Sequence, residues 1–355
     1  MTALKQILIE RITSDGPISI AEYMTECLMH PTHGYYSTRD PFGQGGDFIT
    51  APEISQMFGE LLGLCLAQTW LDQGAPNRFI LAELGPGRGT LMADVLRATK
   101  GVPGFLDAAE LHLVETSAHL RAEQTKILST FQPQWHDTLD NLPNGPLFLL
   151  ANEFFDALPI RQFERTQNGW SERRIGNKGD QLSFGRTPPQ HVAALSHRLE
   201  DTKPGDLVEL CPAAEQISAT LATRIAKDGG AALLFDYGDW RSLGDTLQAL
   251  RDHAPEGVLV SPGAADLTAH VDFEALANSI APTGKHSRVT PQGIFLERLG
   301  ITARAQALAG KMQGEALKMH IAAHRRLTHP QEMGTLFKTM AIVPNEAALP
   351  PGYEQ

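Results

Sequence analysis

Cysteine is scarce in this sequence, with three residues among 355, and no two of them form a CxxC pair. A disulfide framework and a zinc site built from paired thiolates are therefore not predicted. His30 and His33 are close together, but no carboxylate or thiolate with matching spacing accompanies them. We predict no metal site.

Long apolar runs are also absent. The longest, 146–151 and 231–235, have the length of strands, whereas a membrane helix needs about 18 apolar residues. The first residues, MTALKQILIERITSDG, have neither the features of a signal peptide nor the Arg- and Ser-rich composition of a transit peptide. We expect no membrane insertion and a bacterial cytoplasmic location, or the mitochondrial matrix if a leader was removed before Met1.

The sequence has fewer basic than acidic residues, 30 Lys and Arg against 41 Asp and Glu, which gives a formal net charge of −11. Nucleic acid is therefore not the expected partner, since phosphate binding needs a basic face. Hydrophobic residues make up 42% of the chain and charged residues 20%, which is typical of a globular protein. The sequence leaves the oligomeric state open, a homodimer included.

Strands and helices alternate clearly between residues 78 and 157. The pattern predicts strands at 77–84, 110–115 and 146–151, a weaker strand at 134–136, and helices at 90–99 and 117–128. Such alternation is typical of a parallel sheet with right-handed crossovers. The predicted fold class is α/β, a Rossmann-like sheet with helices on both faces, an N-terminal helical extension and an inserted lobe.

The remaining segments complete a division into domains. Residues 1–77 form the N-terminal extension, in which Thr50 to Glu53 resembles a capping box and 54–71 a helix with Met57, Leu61, Leu64 and Leu71 on its buried face. Further elements are predicted from 161 onwards: antiparallel strands at 161–185, a helix at 211–227, strands at 231–237, 286–290 and 336–343, and helices between 294 and 328. The α/β core then comprises 78–157 and 229–343, the inserted lobe 158–228, and the C-terminal tail 344–355.

The segment Glu83-Leu84-Gly85-Pro86-Gly87-Arg88-Gly89-Thr90 follows a predicted strand and opens a helix. A dinucleotide fingerprint, GxGxxG, would have a glycine where Thr90 stands. A nucleoside that carries methionine has no phosphate for the helix N-terminus to bind, and the acid that ends the strand can hold its ammonium group. We therefore predict S-adenosylmethionine, with S-adenosylhomocysteine as product, bound by Glu83, Gly85, Pro86, Gly87 and Gly89.

Four more residues complete the predicted cofactor site. Glu115 ends the next strand, where an acid can accept both ribose hydroxyls, and Thr116 follows it. Asp137, after the weak strand, is placed to accept from an adenine amino group. Thr50 closes the glycine-rich segment 43–50, which could fold over the cofactor as a lid. Each position also has a structural interpretation, as a turn former or as an acid at a helix N-terminus.

Asn152, Glu153 and Asp156 follow the third strong strand, and ligands of open α/β sheets bind beside the carboxyl ends of the strands. The two acids are three residues apart, so one turn of helix would place them on one face. Carboxylates can orient the planar fork of an arginine guanidinium. We predict that these three residues hold the substrate, the alternative being a capped helix start.

Nine motifs follow one another along the chain: HPTHGYYS (30–37), GDFITAPEISQMFGE (46–60), ELGPGRGTLMADVL (83–96), LVETS (113–117), ANEFFDALPIRQF (151–163), LFDYG (234–238), DLTAHVDF (266–273), PQGIFLERLGI (291–301) and MGTLFKTMAI (333–342). In these motifs the chain resembles the MidA family, also known as the complex I assembly-factor methyltransferases. The resemblance implies a seven-stranded class I methyltransferase fold, S-adenosylmethionine binding, and symmetric dimethylation of an arginine in a core subunit of respiratory complex I.

Three other functions remain open on the sequence alone. A small-molecule methyltransferase would have a closed pocket instead of a groove at Glu153. A non-catalytic assembly chaperone would retain the cofactor site as a structural remnant. A dehydrogenase is disfavoured, because Thr90 breaks the dinucleotide fingerprint.

Overall fold

The structure is a computed structural model that describes residues 2–38 and 50–354. The helices are α1 (Ala3–Asp15), α2 (Ile20–Met29), α3 (Tyr35–Thr38), α4 (Ala51–Ile54), α5 (Gln56–Asp72), α6 (Thr90–Thr99), α7 (Phe105–Ala108), α8 (Ala118–Leu128), α9 (Pro212–Asp228), α10 (Phe273–Ile280), α11 (Gln292–Arg298), α12 (Ile301–Ala309), α13 (Gly314–Thr328) and α14 (Met333–Leu336). The strands are β1 (Ile18–Ser19), β2 (Phe79–Leu84), β3 (Ala109–Val114), β4 (Gln134–His136), β5 (Leu147–Asn152), β6 (Arg161–Thr166), β7 (Gly169–Lys178), β8 (Gln181–Arg186), β9 (Leu207–Leu210), β10 (Gly230–Asp239), β11 (Gln248–Arg251), β12 (Ala254–Glu256), β13 (Asp266–Thr268), β14 (Val271–Asp272), β15 (Lys285–His286), β16 (Thr290–Pro291) and β17 (Phe337–Val343).

A central sheet organises the fold. Within the described ranges, its main path has the order β15-β17-β10-β5-β2-β3-β4. The pairs from β10 to β4 are parallel, and β17 runs antiparallel to β10. The order reverses between β2 and β5, so the crevice at the carboxyl ends of these strands is the expected ligand site of an open α/β sheet.

Both faces of the sheet are buried, as a parallel sheet requires. Alternate residues of each strand point to opposite faces. In β2, Phe79 and Leu81 belong to the hydrophobic cluster that also contains residues of α5, α6 and α11. Ile80 and Ala82 belong to a second cluster, which contains residues of α9 and α10. The predicted α/β class, a Rossmann-like sheet with helices on both faces, is therefore confirmed.

Most of the predicted elements are present within a residue or two. The strands expected around residues 77–84, 110–115, 134–136 and 146–151 are β2, β3, β4 and β5. The helix predicted to be capped by Ser117 is α8, and the Ser117 hydroxyl accepts from the amide of Leu120. The antiparallel excursion is β6, β7 and β8.

The helix predicted at 54–71 differs from the structure in two ways. It is broken at Ser55 into α4 and α5, and Thr50 stands at the N-cap of α4 without forming the predicted capping box. Leu64 and Leu71 are exposed, although we expected them on the buried face. Apolar residues lie all around α5, so their spacing does not determine which face is buried. The glycines of α5 determine it, because Gly63 lies in close contact with Val95 of α6.

The N-terminal extension packs on strands that come much later in the chain. β1 pairs with β7, so that Ile18 lies opposite Ile175. Residues of α1 and α2 share a third hydrophobic cluster with β7, β8, β11 and β13. The division into an extension, a core, an inserted lobe and a tail remains a prediction.

No helix in the described part of the chain combines the length and the apolar character needed to cross a membrane. The same residues contain no group of His, Cys, Asp and Glu side chains that could hold a metal ion.

Candidate functional site

A cleft of about 470 Å³ opens at the carboxyl ends of β2, β3 and β5. Its volume lies in the range typical of ligand pockets. A smaller pocket adjoins it, and both are lined by Gly85, Gly87 and Glu153. The large cleft is also lined by Leu84, Val114, Glu115, Thr116, Asp137, Leu139 and Phe154 from the sheet side, and by Thr25, Leu28, Met29, Tyr36, Leu158, Pro159, Gln216 and Ile217 from the opposite side.

The predicted glycine bend lies between the two pockets. Gly85, Gly87 and Gly89 all have positive φ, at 60°, 53° and 88°. At Gly85 an added Cβ would lie 2.9 Å from Cδ2 of Phe154, so that only glycine fits without a shift of that ring. Pro86 lines the smaller pocket, whereas Gly89 lies behind the bend as the N-cap of α6.

Glu83 is the residue before the last of β2, and it lines the smaller pocket. Its side chain is buried, and Oε2 has no hydrogen-bond partner among the described residues. Burial, reinforced by the nearby charge of Glu115, raises the pKa of Glu83 to about 8. An unpartnered buried carboxylate is costly unless a cation approaches it, so this pocket suits an ammonium group.

Glu115 and Thr116 line the large cleft where β3 ends. One carboxylate oxygen of Glu115 accepts from the amide of Ser117 at 2.8 Å. Burial raises the pKa of Glu115. Asp137 also borders the cleft, but its exposed side chain pairs with Arg121 at 2.6 Å. The predicted contact of Asp137 with adenine therefore requires that it share its oxygens with Arg121.

The segment that follows β5 is a turn and not the helical turn that we expected. Glu153 has a φ of +52°, a left-handed conformation that is uncommon for a residue with a side chain. A helix cannot begin there, so spacing does not place Glu153 and Asp156 on one helix face. Such strain persists only where the surrounding structure enforces it, and it concentrates at functional sites.

The Glu153 carboxylate is held from two sides. Its Oε1 accepts from the amide of Ala51 at 3.1 Å and from Nδ2 of Asn152 at 3.0 Å. Oε1 is therefore engaged, whereas Oε2 accepts no hydrogen bond within residues 2–38 and 50–354. Burial raises the pKa of Glu153 to about 7, against the lowering effect of Arg326. Asn152 Oδ1 is buried without a described partner and lines the smaller pocket with Thr50.

Asp156 lies behind the cleft surface and is buried, as is Asp236 of β10. Burial and the negative charge of Asp236 raise the pKa of Asp156 well above its usual value. Burial and the charge of Glu153 likewise raise the pKa of Asp236. Neither aspartate forms an ion pair with a lysine or arginine of the described residues. The carboxyl groups behind Glu153 are therefore poorly stabilised as anions by the described residues, and a cation bound in the cleft would favour their ionised forms.

Sequence reasoning did not single out Tyr36 or Asp266. The Tyr36 hydroxyl lines the cleft and donates to the Asp266 carboxylate, with 3.2 Å to Oδ1 and 3.3 Å to Oδ2. Both residues belong to the motifs 30–37 and 266–273, but only the packing of α3 beside β13 brings them to the site. The lid expected at 43–50 lies, apart from Thr50, outside the described residues.

The comparisons with known proteins agree with this geometry. A model of an S-adenosyl-L-methionine-dependent methyltransferase family matches residues 61–290. The chain belongs to this family. It is 38% identical to the mitochondrial protein arginine methyltransferase NDUFAF7 of Xenopus laevis, over 97% of this chain and 85% of that protein. Identity to the human protein of the same name is 37%, over 98% and 84%.

A crystal structure from Burkholderia thailandensis, bound to S-adenosyl-homocysteine, is similar to this methyltransferase over its whole length. The TM-score is 0.84 at 28% identity, covering 99% of this chain and 94% of that chain. The residues of the present site fit the same type of ligand: a glycine bend, a strand-terminal acid at each end of the cleft, and an unpartnered carboxylate at Glu83. This methyltransferase is therefore S-adenosylmethionine-dependent.

Proposed function

We propose that this methyltransferase transfers methyl groups to an arginine side chain of a protein. The observation that carries the proposal is the cluster of carboxyl groups at the end of β5. Glu153 borders the cleft there, and Asp156 and Asp236 are buried behind it without a lysine or arginine partner in the described part of the chain. A guanidinium group supplies the missing positive charge.

The chemistry of arginine explains why several acids are needed. A guanidinium has a pKa above about 12 and five donors in a planar fork. Glu153 would accept from this fork through Oε2, because Oε1 is already engaged by Ala51 and Asn152. Asp156 would act from behind the cleft, since it does not border it, and a bound guanidinium would favour its ionised form. When bound, S-adenosylmethionine supplies the electrophilic methyl group. The acids localise positive charge away from the attacking nitrogen, which would bond to the methyl carbon as the carbon–sulfur bond breaks. The nitrogen would release a proton to solvent, and S-adenosylhomocysteine would be the leaving product.

The relatives named above support the choice of a protein arginine, because their names state that activity. Following the resemblance of the sequence motifs, we extend the proposal to symmetric dimethylation of a core subunit of respiratory complex I. The compartment would then be the one in which that complex is assembled, the bacterial cytoplasm or the mitochondrial matrix. A homodimer remains compatible with this proposal.

The test is isotopic methyl transfer. The protein and labelled S-adenosylmethionine are incubated with complex I subunits from cells that lack this chain. We expect label in one subunit, recovered as dimethylarginine after hydrolysis, and transfer about 100-fold slower with Glu153→Gln. Label in a small molecule would indicate a different substrate class. Cofactor binding without transfer to any subunit would contradict the proposal and favour an assembly chaperone.

A further inference from the structure

Four consecutive backbone amides, those of residues 153–156, attach the strained turn that carries Glu153 to β10. The amide of Glu153 donates to the carbonyl oxygen of Phe235 at 2.9 Å. The next three amides, of Phe154, Phe155 and Asp156, all donate to Oδ2 of Asp236, at 3.2, 2.8 and 3.3 Å. The conformation of the turn is therefore imposed by the neighbouring strand.

Asp236 is itself held firmly in place. Its side chain is 1% exposed, and Oδ1 accepts from the amide of Tyr237 at 3.0 Å. β10 is an interior strand that pairs with β5 on one side and β17 on the other. A carboxylate that accepts from four backbone amides and sits on an interior strand has little freedom to rotate.

We propose that Asp236 is a positioning residue for methyl transfer. Its Oδ2 oxygen clamps the three amides after Glu153, which keeps Glu153 in the left-handed conformation with its carboxylate at the junction of the two pockets. Without the clamp, Glu153 would relax to negative φ and its carboxylate would leave that junction. This inference rests on the proposed function, since Glu153 is the acid that receives the arginine.

Two substitutions separate a clamp from a simple negative charge. In Asp236→Asn the amide oxygen can still accept from the three amides, although the charge and the bond to Tyr237 are lost. Asp236→Ala removes every acceptor. A displacement of about 1 Å at a reacting group can reduce a rate about 100-fold. We expect kcat to fall about 100-fold in Asp236→Ala but less than about tenfold in Asp236→Asn, with the Kd for S-adenosylmethionine changed by less than about threefold in both.

Asp272 provides the matched control. Its carboxylate also accepts from two backbone amides, those of Ala275 at 3.0 Å and Ser242 at 3.1 Å, but at the start of α10. Asp272→Ala removes a helix cap and should lower the midpoint of denaturant unfolding. It should leave kcat unchanged, because Asp272 does not line either pocket of the site.

Equal loss of kcat in Asp236→Asn and Asp236→Ala would overturn the clamp and indicate a role of charge. A crystal structure of Asp236→Ala tests the clamp without reference to activity: Glu153 at negative φ supports it, and an unchanged φ near +52° overturns it. That result is distinct from failure of the proposed function, in which the unaltered protein transfers no methyl to arginine. If Asp236→Ala does not fold, a crystal structure of Asp236→Asn together with its kcat decides. A φ of Glu153 near +52° with a loss of kcat below about tenfold supports the clamp, and the same φ with a loss of about 100-fold overturns it.

Discussion

At the residue scale, Glu83 and Glu153 lie near the ends of neighbouring strands beside the glycine bend, but their carboxylates differ in hydrogen bonding. Glu83 has a buried oxygen with no described partner, which suits a cation of the cofactor. Glu153 is held through Oε1 by Ala51 and Asn152, which leaves Oε2 for the substrate. The two carboxylates therefore have separate tasks, and they can be tested separately.

Glu83→Gln should weaken S-adenosylmethionine binding. A hydrogen bond to a charged group contributes about 1.5–3 kcal/mol, so we expect the Kd to rise about 10- to 150-fold. Titration calorimetry measures it. Glu315→Gln is the control, because Glu315 is exposed on α13 and its loss should not affect binding. Equal affinity of Glu83→Gln and the unaltered protein would show that Glu83 does not hold the ammonium group.

Glu153 should give the activity a pH dependence. Its pKa is raised to about 7 by burial, and only the ionised form attracts a guanidinium. With saturating cofactor, kcat/KM for the protein substrate should rise as the pH increases through about 7 and then level off. Glu153→Gln should lower kcat/KM about 100-fold and remove this rise. A pH-independent kcat/KM in the unaltered protein would argue against Glu153 as the arginine acceptor.

The same raised pKa affects stability with a defined sign. Folded Glu153 keeps its proton up to about pH 7, whereas an unfolded glutamate loses it near pH 4.3. The contribution of the neutral carboxyl to folding is therefore complete below about pH 4.3 and is lost as the pH rises through about 7. Denaturant unfolding at a series of pH values should show a smaller decline over this window in Glu153→Gln than in the unaltered protein.

At the scale of elements, the contact between α5 and α6 determines how the first part of the chain meets the sheet. Gly63 lies so close to α6 that an added Cβ would be 2.9 Å from Cα of Val95 and 3.1 Å from its carbonyl oxygen. Backbone atoms cannot move aside as a side chain can. The small residues of α5, and not the apolar face predicted from its sequence, therefore orient this helix.

Gly63→Ala should destabilise the protein. Overpacking costs about 1–3 kcal/mol, which exceeds the roughly 1 kcal/mol that alanine gains over glycine in a helix. The midpoint of denaturant unfolding should fall. Gly101→Ala is the control, because an added Cβ at Gly101 meets no atom within 4 Å in the part of the chain that is described. A higher midpoint for Gly63→Ala would show that the two helices can separate at no cost.

At the scale of the whole molecule, the cleft joins segments that are far apart in the chain. α2 of the N-terminal extension, the bend after β2, the turn after β5 and the start of α9 all contribute residues to it. A ligand that bridges these segments binds the folded state alone, and it should therefore stabilise the whole fold.

S-adenosylhomocysteine at 100 times its Kd should add about 2.7 kcal/mol to the free energy of unfolding. The melting temperature should rise with ligand concentration. NAD at the same concentrations should give no shift, because the bend lacks the dinucleotide fingerprint at Thr90. A shift with NAD and none with S-adenosylhomocysteine would contradict the cofactor assignment.

Local sequence determined the central sheet and the cofactor bend. Buried strands such as β2 and β5 are continuous apolar runs, and the glycines after β2 are required by positive φ. Such features depend on neighbours in the chain, so the sequence alone can indicate them. The face that α5 buries depends on the close contact of Gly63 with Val95 of α6, and there the prediction was wrong.

The sequence by itself determined that a methionine-bearing nucleoside binds after β2 and that acids follow β5, since residue type and strand ends are properties of the chain. Only the tertiary structure decided how those acids are used. Asp236 lies 82 residues after Phe154, whose amide it accepts, and Ala51 lies 102 residues before Glu153, to which it donates. The strained backbone of Glu153 exists because those distant hydrogen bonds hold it, and no local pattern encodes them.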